Sequence, residues 1–385
     1  MRKPRVTVTV AFLINGFVAG SFMARIPDFK LYLNVNDGKF GLALLFSTFG
    51  VLLGLGPAGR LSAKYGSRTV AVPTTALLGI PITIVGLTKN YWQFCLSLFI
   101  FGILLAVQDI AMNSHGIAVE HEYKSKFMSV FHANFSVGTL FGAFTGGIAS
   151  QIKLSTENHA ILIAILVFVA AFFVRNWWLP AEVDIHEVEH HNRKRRPSIF
   201  WLLGLLGMCA QVGEGAAGDW GGILARETFS ASPFLSAIPY VVFSATMVTG
   251  RFLGDRISLK FHAQKILISC GLIAGLGLSI GLLIGGVVGV AIGWAALGAG
   301  LSVIVPVLFS ASGELAKNKF PGQIAPAEGV AMVSGVAYFG FMAGPPAIGF
   351  AANLIGLRWA MFIPALLAFI LAFGASRASK NFSSN

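Results

Sequence analysis

A few polar side chains lie inside long apolar runs of this chain, and their types suit proton transfer and hydrogen bonding. Asp109 is followed by Asn113 four residues on and by Glu120 eleven residues on, so a helix would bring all three to one polar face. An ionisable group inside an apolar helix is costly and usually faces a cavity, a partner or water. Asp109 is therefore a candidate for binding a proton.

The next apolar run carries His132 and Ser136, which we expect at a similar depth. The turn between the two runs centres near Tyr123, so in an antiparallel helical hairpin Asn113 and His132 lie almost equally far from the turn. Asp109 then lies level with Ser136. We predict one site made of Asp109, Asn113 and His132, in which Asp109 or His132 accepts a proton. The alternative is a structural hydrogen-bond network between two packed helices.

The second half of the chain offers a further carboxylate, Glu214, with Gln211 one turn before it. Counting about 1.5 Å per residue from Ser198, Gln211 reaches about 20 Å, just beyond the middle of a bilayer, and Glu214 lies farther out. Asp219 and Trp220 are predicted to mark the outer end of that helix. A water-exposed acid at a helix end is the alternative interpretation of Glu214.

Two further polar groups, Asn15 and Tyr338, lie near the middle of apolar runs. Amides and hydroxyls beside aromatic faces suit a neutral polyol, a sugar derivative or a small heterocycle. No cluster of buried arginines argues for a dicarboxylate or a phosphate ester. One arginine, Arg25, lies at the outer end of the first predicted span, and we expect it to pair locally with Asp28.

Long apolar helices must position these groups, because the composition is that of a membrane protein. The chain is 55% hydrophobic with a mean hydropathy of +0.76, and 11% of it is charged, against about 25% in soluble domains. A bilayer span needs about 20 apolar residues. We predict an all-α integral membrane protein with twelve spans, near 6–24, 40–58, 69–88, 92–118, 127–150, 159–178, 198–217, 232–249, 266–285, 287–309, 329–353 and 359–376.

The basic residues predict the orientation of these spans. With the amino terminus inside, 21 of the 28 Lys and Arg residues fall in the inner segments and 7 in the outer ones, as the positive-inside rule requires. We therefore expect a multi-pass protein of the cytoplasmic (inner) membrane with both termini in the cytoplasm. The net charge of +12 reflects this topology, and no basic face for nucleic acid is assembled.

Glycines recur at fourfold spacing inside the predicted spans, as at Gly16 and Gly20 or at Gly138, Gly142 and Gly146. Small residues at this spacing let membrane helices approach closely. Tight packing is the simpler interpretation, and helices that slide during gating are the alternative.

The chain carries one short motif twice, which indicates a duplication. Gly59-Arg60-Leu61 and Gly250-Arg251-Phe252 begin 191 positions apart, each followed by charges in a predicted loop between spans. We predict an N-terminal six-helix bundle at 1–178, a cytoplasmic linker at 179–197 and a C-terminal six-helix bundle at 198–385. The linker's acids and histidines, Asp184, His186, Glu187, Glu189, His190 and His191, have metal-ligand chemistry, but a solvated stretch is favoured and we expect neither metal nor cofactor.

The twelve spans and the first copy of the motif together resemble the major facilitator superfamily of secondary transporters. Its pattern is Gly-x-x-x-Asp-(Arg/Lys)-x-Gly-Arg-(Arg/Lys), which Gly59, Lys64, Gly66 and Arg68 match and from which Ala63 and Ser67 depart. Further segments are similar to a bacterial branch that contains MosC-like (rhizopine transport) proteins. They are Arg25-Ile26-Pro27-Asp28, Asp109 to Asn113, Phe131-His132, Asp219-Trp220 and Gly344-Pro345-Pro346 with Gly349.

The resemblance implies two six-helix bundles around a central cavity that opens alternately to each side, lined by the first and fourth helices of each half. It also implies that the repeated segments gate the inner side. The first gate comprises Gly59, Arg60, Lys64, Gly66 and Arg68, with Glu120 or Glu122 supplying the acid that Ala63 lacks. The second comprises Gly250, Arg251, Asp255 and Arg256.

The leading functional prediction is a secondary transporter that takes up a small polar organic solute together with protons and works as a monomer in the lipid bilayer. Uptake is favoured over efflux because the family's antiporter pattern includes a Gly-Pro pair in the fifth span, and the fifth span of this chain has no proline. Proton-coupled efflux of drugs or metabolites is the first alternative, and a non-transporting receptor or scaffold is the second. We expect no enzyme, because neither a nucleotide-binding loop nor a nucleophile motif occurs in the sequence.

Overall fold

Helices long enough to cross a bilayer dominate the computed structural model, which describes residues 2–125, 127–184, 197–321, 323–324 and 326–377. Within these ranges eleven helical stretches meet both the length and the hydropathy of a membrane span. A further helix of 24 residues, Met128–Gln151, is also long enough, about 36 Å, although it carries more polar side chains. The predicted fold class, an all-α membrane protein with twelve spans, is confirmed.

The first seven helices supply six of these spans, the third being divided at Leu78. They are α1 (Arg2–Leu33), α2 (Asp37–Tyr65), α3 (Ser67–Leu77), α4 (Gly79–Gly86), α5 (Tyr91–Tyr123), α6 (Met128–Gln151) and α7 (Thr156–Val174), followed by a 3₁₀ turn at Ala181–Asp184.

The remaining helices supply the other six spans, several again in two pieces. They are α8 (Ser198–Asp219), α9 (Gly221–Ile223) with a π-helical turn at Leu224–Thr228, α10 (Pro233–Lys260), α11 (Ala263–Ile284), α12 (Gly286–Leu301), α13 (Ile304–Lys319), α14 (Pro326–Ala337), α15 (Phe339–Ile355), α16 (Leu357–Ala360) and α17 (Phe362–Arg377).

Contacts divide the chain into two compact units. The first comprises Met1–Val35, Leu42–His190 and Ser232–Ala237, and the second comprises Asn36–Gly41, His191–Ala231 and Ile238–Asn385. The first turn of α2 therefore belongs to the second unit, while the rest of α2 belongs to the first. The first turn of α10 belongs to the first unit, while the rest of α10 belongs to the second. In the second unit, the Gly38 amide donates a hydrogen bond to Asn353 Oδ1 at 3.2 Å, which fixes the first turn of α2 there.

Backbones of α1 and α6 touch within the first unit, because glycines from both helices face the contact. A Cβ atom added to Gly16 would lie 1.9 Å from the Phe135 carbonyl oxygen, and one added to Gly138 would lie 2.1 Å from the Leu13 carbonyl oxygen. No side chain fits at either position. The fourfold glycine spacing thus serves close packing, as the simpler interpretation of the sequence has it.

The seventh span, α8, ends at Asp219 with Trp220 as the residue that follows its last turn, as the sequence predicted. Trp220 is fully buried, and the chain continues as α9 and then as the π-helical turn that ends at Thr228. Gly221 permits this continuation, because a Cβ atom there would lie 2.4 Å from Nε1 of Trp294. Glu214 lies in the second half of α8, five residues before the helix ends at Asp219.

Candidate functional site

Asp109 and Asn113 are joined on the half-buried face of α5. Nδ2 of Asn113 donates one hydrogen bond to the Asp109 backbone oxygen at 2.8 Å and another to Asp109 Oδ1 at 3.2 Å. The side-chain bond orients the carboxyl group along the helix. The spacing of four residues between Asp109 and Asn113 therefore corresponds to a direct contact.

His132 and Ser136, on the second and third turns of α6, form the second part of the predicted group. The imidazole of His132 is exposed and meets the ring of Phe12 edge-on at a centroid distance of 5.0 Å. The hydroxyl of Ser136 is buried and donates to the His132 carbonyl oxygen at 3.3 Å. A single site that combines His132 with Asp109 stays a prediction.

Asn15 lies in a buried network that links three helices of the first unit. Its Nδ2 donates to Oε1 of Gln108, and Nε2 of Gln108 donates to Oγ1 of Thr75 and to Sδ of Met112, both at 3.3 Å. Asn15 is 3% exposed and Gln108 is fully buried. These contacts hold α1, α3 and α5 together, and the predicted transport role of Asn15 has yet to be tested.

An ion pair lies inside the second unit, between Glu214 of α8 and Arg251 of α10. Oε1 of Glu214 is 3.7 Å from Nη2 of Arg251, and each side chain is 31% exposed. The sequence predicted Arg251 in a loop between spans, and this is wrong, because α10 continues unbroken to Lys260. A long guanidinium side chain on a helix can reach a carboxylate in the span, and the pairing lowers the cost of both charges.

Tyr240 joins the same cluster and was missed in the sequence. It is half-buried on α10, hydrogen-bonds to Ser244, and lies within electrostatic range of Glu214, Asp219 and Arg251. Ser244 and Arg251 follow Tyr240 by four and eleven residues, the same spacing that marked the polar face of α5. This spacing would have predicted a polar face with Tyr240, Ser244 and Arg251 if the predicted helix had extended to Arg251.

Gln211 and Tyr338 lie on neighbouring helices of the second unit. Gln211 is 6% exposed, and its Oε1 has no hydrogen-bond partner in the described part of the chain. Gly340 packs against Gln211, with a would-be Cβ at 2.9 Å from Gln211 Cβ. Tyr338, between α14 and α15, is 50% exposed and stacks with Phe341 at 6.4 Å. The ring of Phe341 reaches α8 at Gly215. An orphan amide oxygen and two aromatic faces thus adjoin one helix.

The first copy of the repeated motif occupies the end of α2 and the start of α3. Gly66 divides the two helices with a φ of +79°, and a Cβ atom there would lie 2.2 Å from the Ala181 carbonyl oxygen. Oγ of Ser67 lies 2.7 Å from Nδ1 of His115, whose Nε2 accepts a hydrogen bond from the Leu179 amide at 3.1 Å. His115, not singled out in the sequence, therefore ties this segment to the start of the linker.

Glu120 caps the next helix. Its Oε1 accepts hydrogen bonds from the backbone amides of Phe127 and Met128, the latter at 2.9 Å, and so satisfies donors at the start of α6. Arg60 and Lys64 are exposed. The ion pair predicted between Glu120 and Arg60, Lys64 or Arg68 stays a prediction.

The two copies of the motif have different surroundings. Gly59 has open space around its Cα, whereas a Cβ atom on Gly250 would lie 2.1 Å from Oγ of Ser302. Arg256 is exposed on α10. The side chain of Asp255, predicted to act as a latch, lies outside the described residues.

Two remaining predictions concern Arg25 and metal binding. The predicted local pairing of Arg25 is confirmed, since its Nε lies 2.6 Å from Oδ2 of Asp28. The linker positions 186–191 and the side chain of Asp184 lie outside the described residues. Within the described ranges, no three His, Cys, Asp or Glu side chains form a group that could hold a metal ion.

Comparisons with known proteins agree with this architecture. The model of the family described as Major Facilitator Superfamily matches residues 8–327. An uncharacterized MFS-type transporter of Yersinia pestis is 29% identical over 378 residues, covering 98% of this chain and 96% of the relative. The membrane protein MosC of Rhizobium meliloti is 27% identical over 370 residues, covering 95% and 86%.

A solved bacterial homolog of the human lysosomal transporter Spinster superposes with a TM-score of 0.76 at 12% identity, covering 99% of this chain and 98% of that chain. At this identity the likeness concerns the fold alone. The predicted resemblance, to the superfamily and to its branch containing MosC, is confirmed.

Proposed function

Since the chain belongs to the Major Facilitator Superfamily, we propose that it is a secondary active transporter that takes up a small polar organic solute together with protons, by alternating access. The observation that carries the proposal is the ion pair of Glu214 and Arg251 between the membrane helices α8 and α10, with the Tyr240 hydroxyl beside it. Charged groups within membrane spans mark substrate or proton pathways in membrane proteins.

The ion pair can work as a proton switch because it is loose. The two charged groups are 3.7 Å apart and each side chain is 31% exposed. Because the carboxylate is accessible, the attraction between the two charges is partly screened. A proton on Glu214 cancels its charge and releases Arg251. Asp109, with its carboxyl group oriented by Asn113, is the matching acidic group of the first unit.

The nature of the solute follows from the groups near the ion pair. A buried amide oxygen without a partner, as at Gln211, costs about 1–3 kcal/mol, which a solute hydroxyl or N–H donor would offset. The exposed ring of Tyr338, stacked with Phe341, offers an aromatic face. These features favour a sugar, a polyol or a small heterocycle. Thermal stabilisation of the purified protein by members of these classes would identify the solute, because a ligand that binds only the folded state stabilises it.

The test of coupling is uptake of that solute into proteoliposomes. Replacing Glu214 with Gln keeps the size of the side chain and removes the proton-binding group, so uptake driven by a pH gradient should fall at least tenfold while solute exchange persists. Glu157→Gln is the matched control, because Glu157 also forms an ion pair, with Lys89 at 3.8 Å, in an exposed position.

Driven uptake by Glu214→Gln at the rate of the control would reject the coupling role. If the unmodified protein exports the solute in exchange for entering protons, it is an efflux transporter. If no solute moves in either direction, it is a receptor or a scaffold.

The membrane location and the organisation of the chain complete the proposal. The excess of Lys and Arg in alternate connections supports the cytoplasmic membrane with both termini inside. We place the linker between the bundles at 179–197. We also propose that one chain suffices for transport.

A further inference from the structure

An open cleft of about 520 Å³ lies in the first unit, beside the first copy of the repeated motif. It is bounded by the start of α3, the segment after α7 and the 3₁₀ turn. Arg68 and Arg175 both line it, together with the uncharged polar side chains of Thr69 and Asn176 and the carboxylate of Glu182. Two guanidinium groups against one carboxylate leave the cleft with a positive charge.

Arg175 is held in place by its neighbours. Its Nη1 donates to the Phe172 carbonyl oxygen at 2.7 Å, and the guanidinium lies 3.5 Å from the centroid of the Phe172 ring. A guanidinium carries five N–H donors, so most remain available for a ligand. Arg68 is half-buried, and no carboxylate of the described residues pairs with it or with Arg175.

The start of α3 adds to the positive potential. This helix of eleven residues begins at Ser67 and has no side-chain cap, so its first amides carry the positive end of the helix dipole next to Arg68. Amides of this kind bind phosphate groups when a basic side chain stands beside them. The cleft therefore combines two guanidinium groups with the positive potential of a nearby helix start.

The cleft continues into an apolar surface, which decides between a soluble anion and a lipid. Pro73 lines the cleft and Leu77, one turn farther along α3, is 48% exposed. On α7, Phe172 and Phe173 are 47% and 70% exposed next to Arg175. A free phosphate ion needs no such surface, whereas the acyl chains of a phospholipid would lie along it.

We propose that this cleft binds the phosphate headgroup of an anionic phospholipid. Arg68 and Arg175 hold the phosphate oxygens, and the exposed apolar faces of α3 and α7 contact the acyl chains. The positive-inside pattern places the site in the cytoplasmic leaflet, where anionic headgroups attract basic pockets. The bound lipid would bridge the start of α3 and the turn at Ala181–Asp184, next to the His115 hydrogen bonds.

Native mass spectrometry of the full-length protein in detergent tests the proposal. The protein is titrated with phosphatidylglycerol and, separately, with phosphatidylcholine of the same acyl chains. We expect phosphatidylglycerol to bind about tenfold more tightly, and the double variant Arg68→Gln/Arg175→Gln to reduce this preference to less than about twofold.

Two further variants control for charge and for geometry. Lys260→Gln/Lys265→Gln removes the same charge from exposed positions at the inner end of α10 and the start of α11, and should keep the preference. Arg68→Lys/Arg175→Lys keeps the charge but removes the planar donor fork, and should lose part of it. Because Arg175 is exposed, Arg175→Gln alone should fold, and a melting temperature equal to that of the unmodified protein confirms this.

Three results would overturn the proposal. One is equal binding of the two lipids by the unmodified protein, and another is an unchanged preference in both Arg175→Gln and the double variant. The third concerns the source of the phosphate. Inorganic phosphate or glycerol phosphate should leave bound phosphatidylglycerol in place at a hundredfold excess, and its displacement would identify the cleft as a site for soluble phosphates.

Discussion

Glu214 and Arg251 pair between two membrane helices, and each side chain is 31% exposed. A fully buried pair with ideal geometry would resist opening, because separating the charges leaves each of them unpaired in a low dielectric. An exposed pair is worth about 0–1 kcal/mol. The observed pair lies between these limits, and we expect protonation of Glu214 to open it.

Asp109 gives the residue-scale prediction for the first unit. Asp109→Asn removes the ionisable group and keeps an oxygen that can accept the hydrogen bond from Asn113, so the local structure should persist. We expect uptake driven by a pH gradient to fall at least tenfold in proteoliposomes, with exchange of labelled solute unchanged.

The control for this variant is Glu157→Gln, which also replaces a carboxylate by its amide, at an exposed position. Driven uptake and exchange in Glu157→Gln should both match the unmodified protein. If Asp109→Asn still accumulates solute against its gradient, the proton is carried elsewhere.

Spacing along one helix predicted Asp109 with Asn113, because both residues lie on α5 and local geometry decides their contact. The partner of Glu214 could not be predicted in this way. Arg251 lies on a different helix, and hydropathy ended that span at 249, two residues before it. Which side chains meet across helices depends on packing that no local pattern records.

At the scale of elements, contacts between glycines and backbone hold helices together where lipid gives no hydrophobic drive. Gly138→Ala tests this at the interface of α1 and α6, since the new methyl group would lie 2.1 Å from the Leu13 carbonyl oxygen. Overpacking of this kind costs about 1–3 kcal/mol. We expect a clearly lower melting temperature in detergent.

Gly335→Ala is the control, because nothing lies within 4 Å of the methyl group it would add in the last turn of α14. Alanine is the better helix former by about 1 kcal/mol, so this variant should be as stable as the unmodified protein or more stable. Equal melting temperatures for Gly138→Ala and Gly335→Ala would show that the helices part to accommodate a methyl group.

Hydropathy predicted all twelve spans but not the breaks within them. The third span divides at Leu78 and the eleventh at Tyr338, although each reads as one hydrophobic segment. Hydropathy records which residues avoid water and carries no information on where the backbone turns. For the same reason the short α9 and the π-helical turn that follow the seventh span were not predicted.

For the whole molecule, the duplicated sequence has diverged at the repeated motif. Arg60 is exposed near the end of α2, whereas Arg251 reaches Glu214. Gly59 has free space and Gly250 has none. Duplicated segments that look alike in sequence therefore have different partners, and only the second supplies a charge to the proposed coupling site.

The central claim, that solute movement is coupled to protons through Glu214, predicts proton flux without any imposed pH gradient. Proteoliposomes containing a trapped pH dye are given an inward gradient of a solute that stabilises the protein. The interior should acidify with the unmodified protein and with Glu157→Gln, and stay unchanged with Glu214→Gln. Labelled solute that enters through the unmodified protein while the interior pH stays constant would contradict the account.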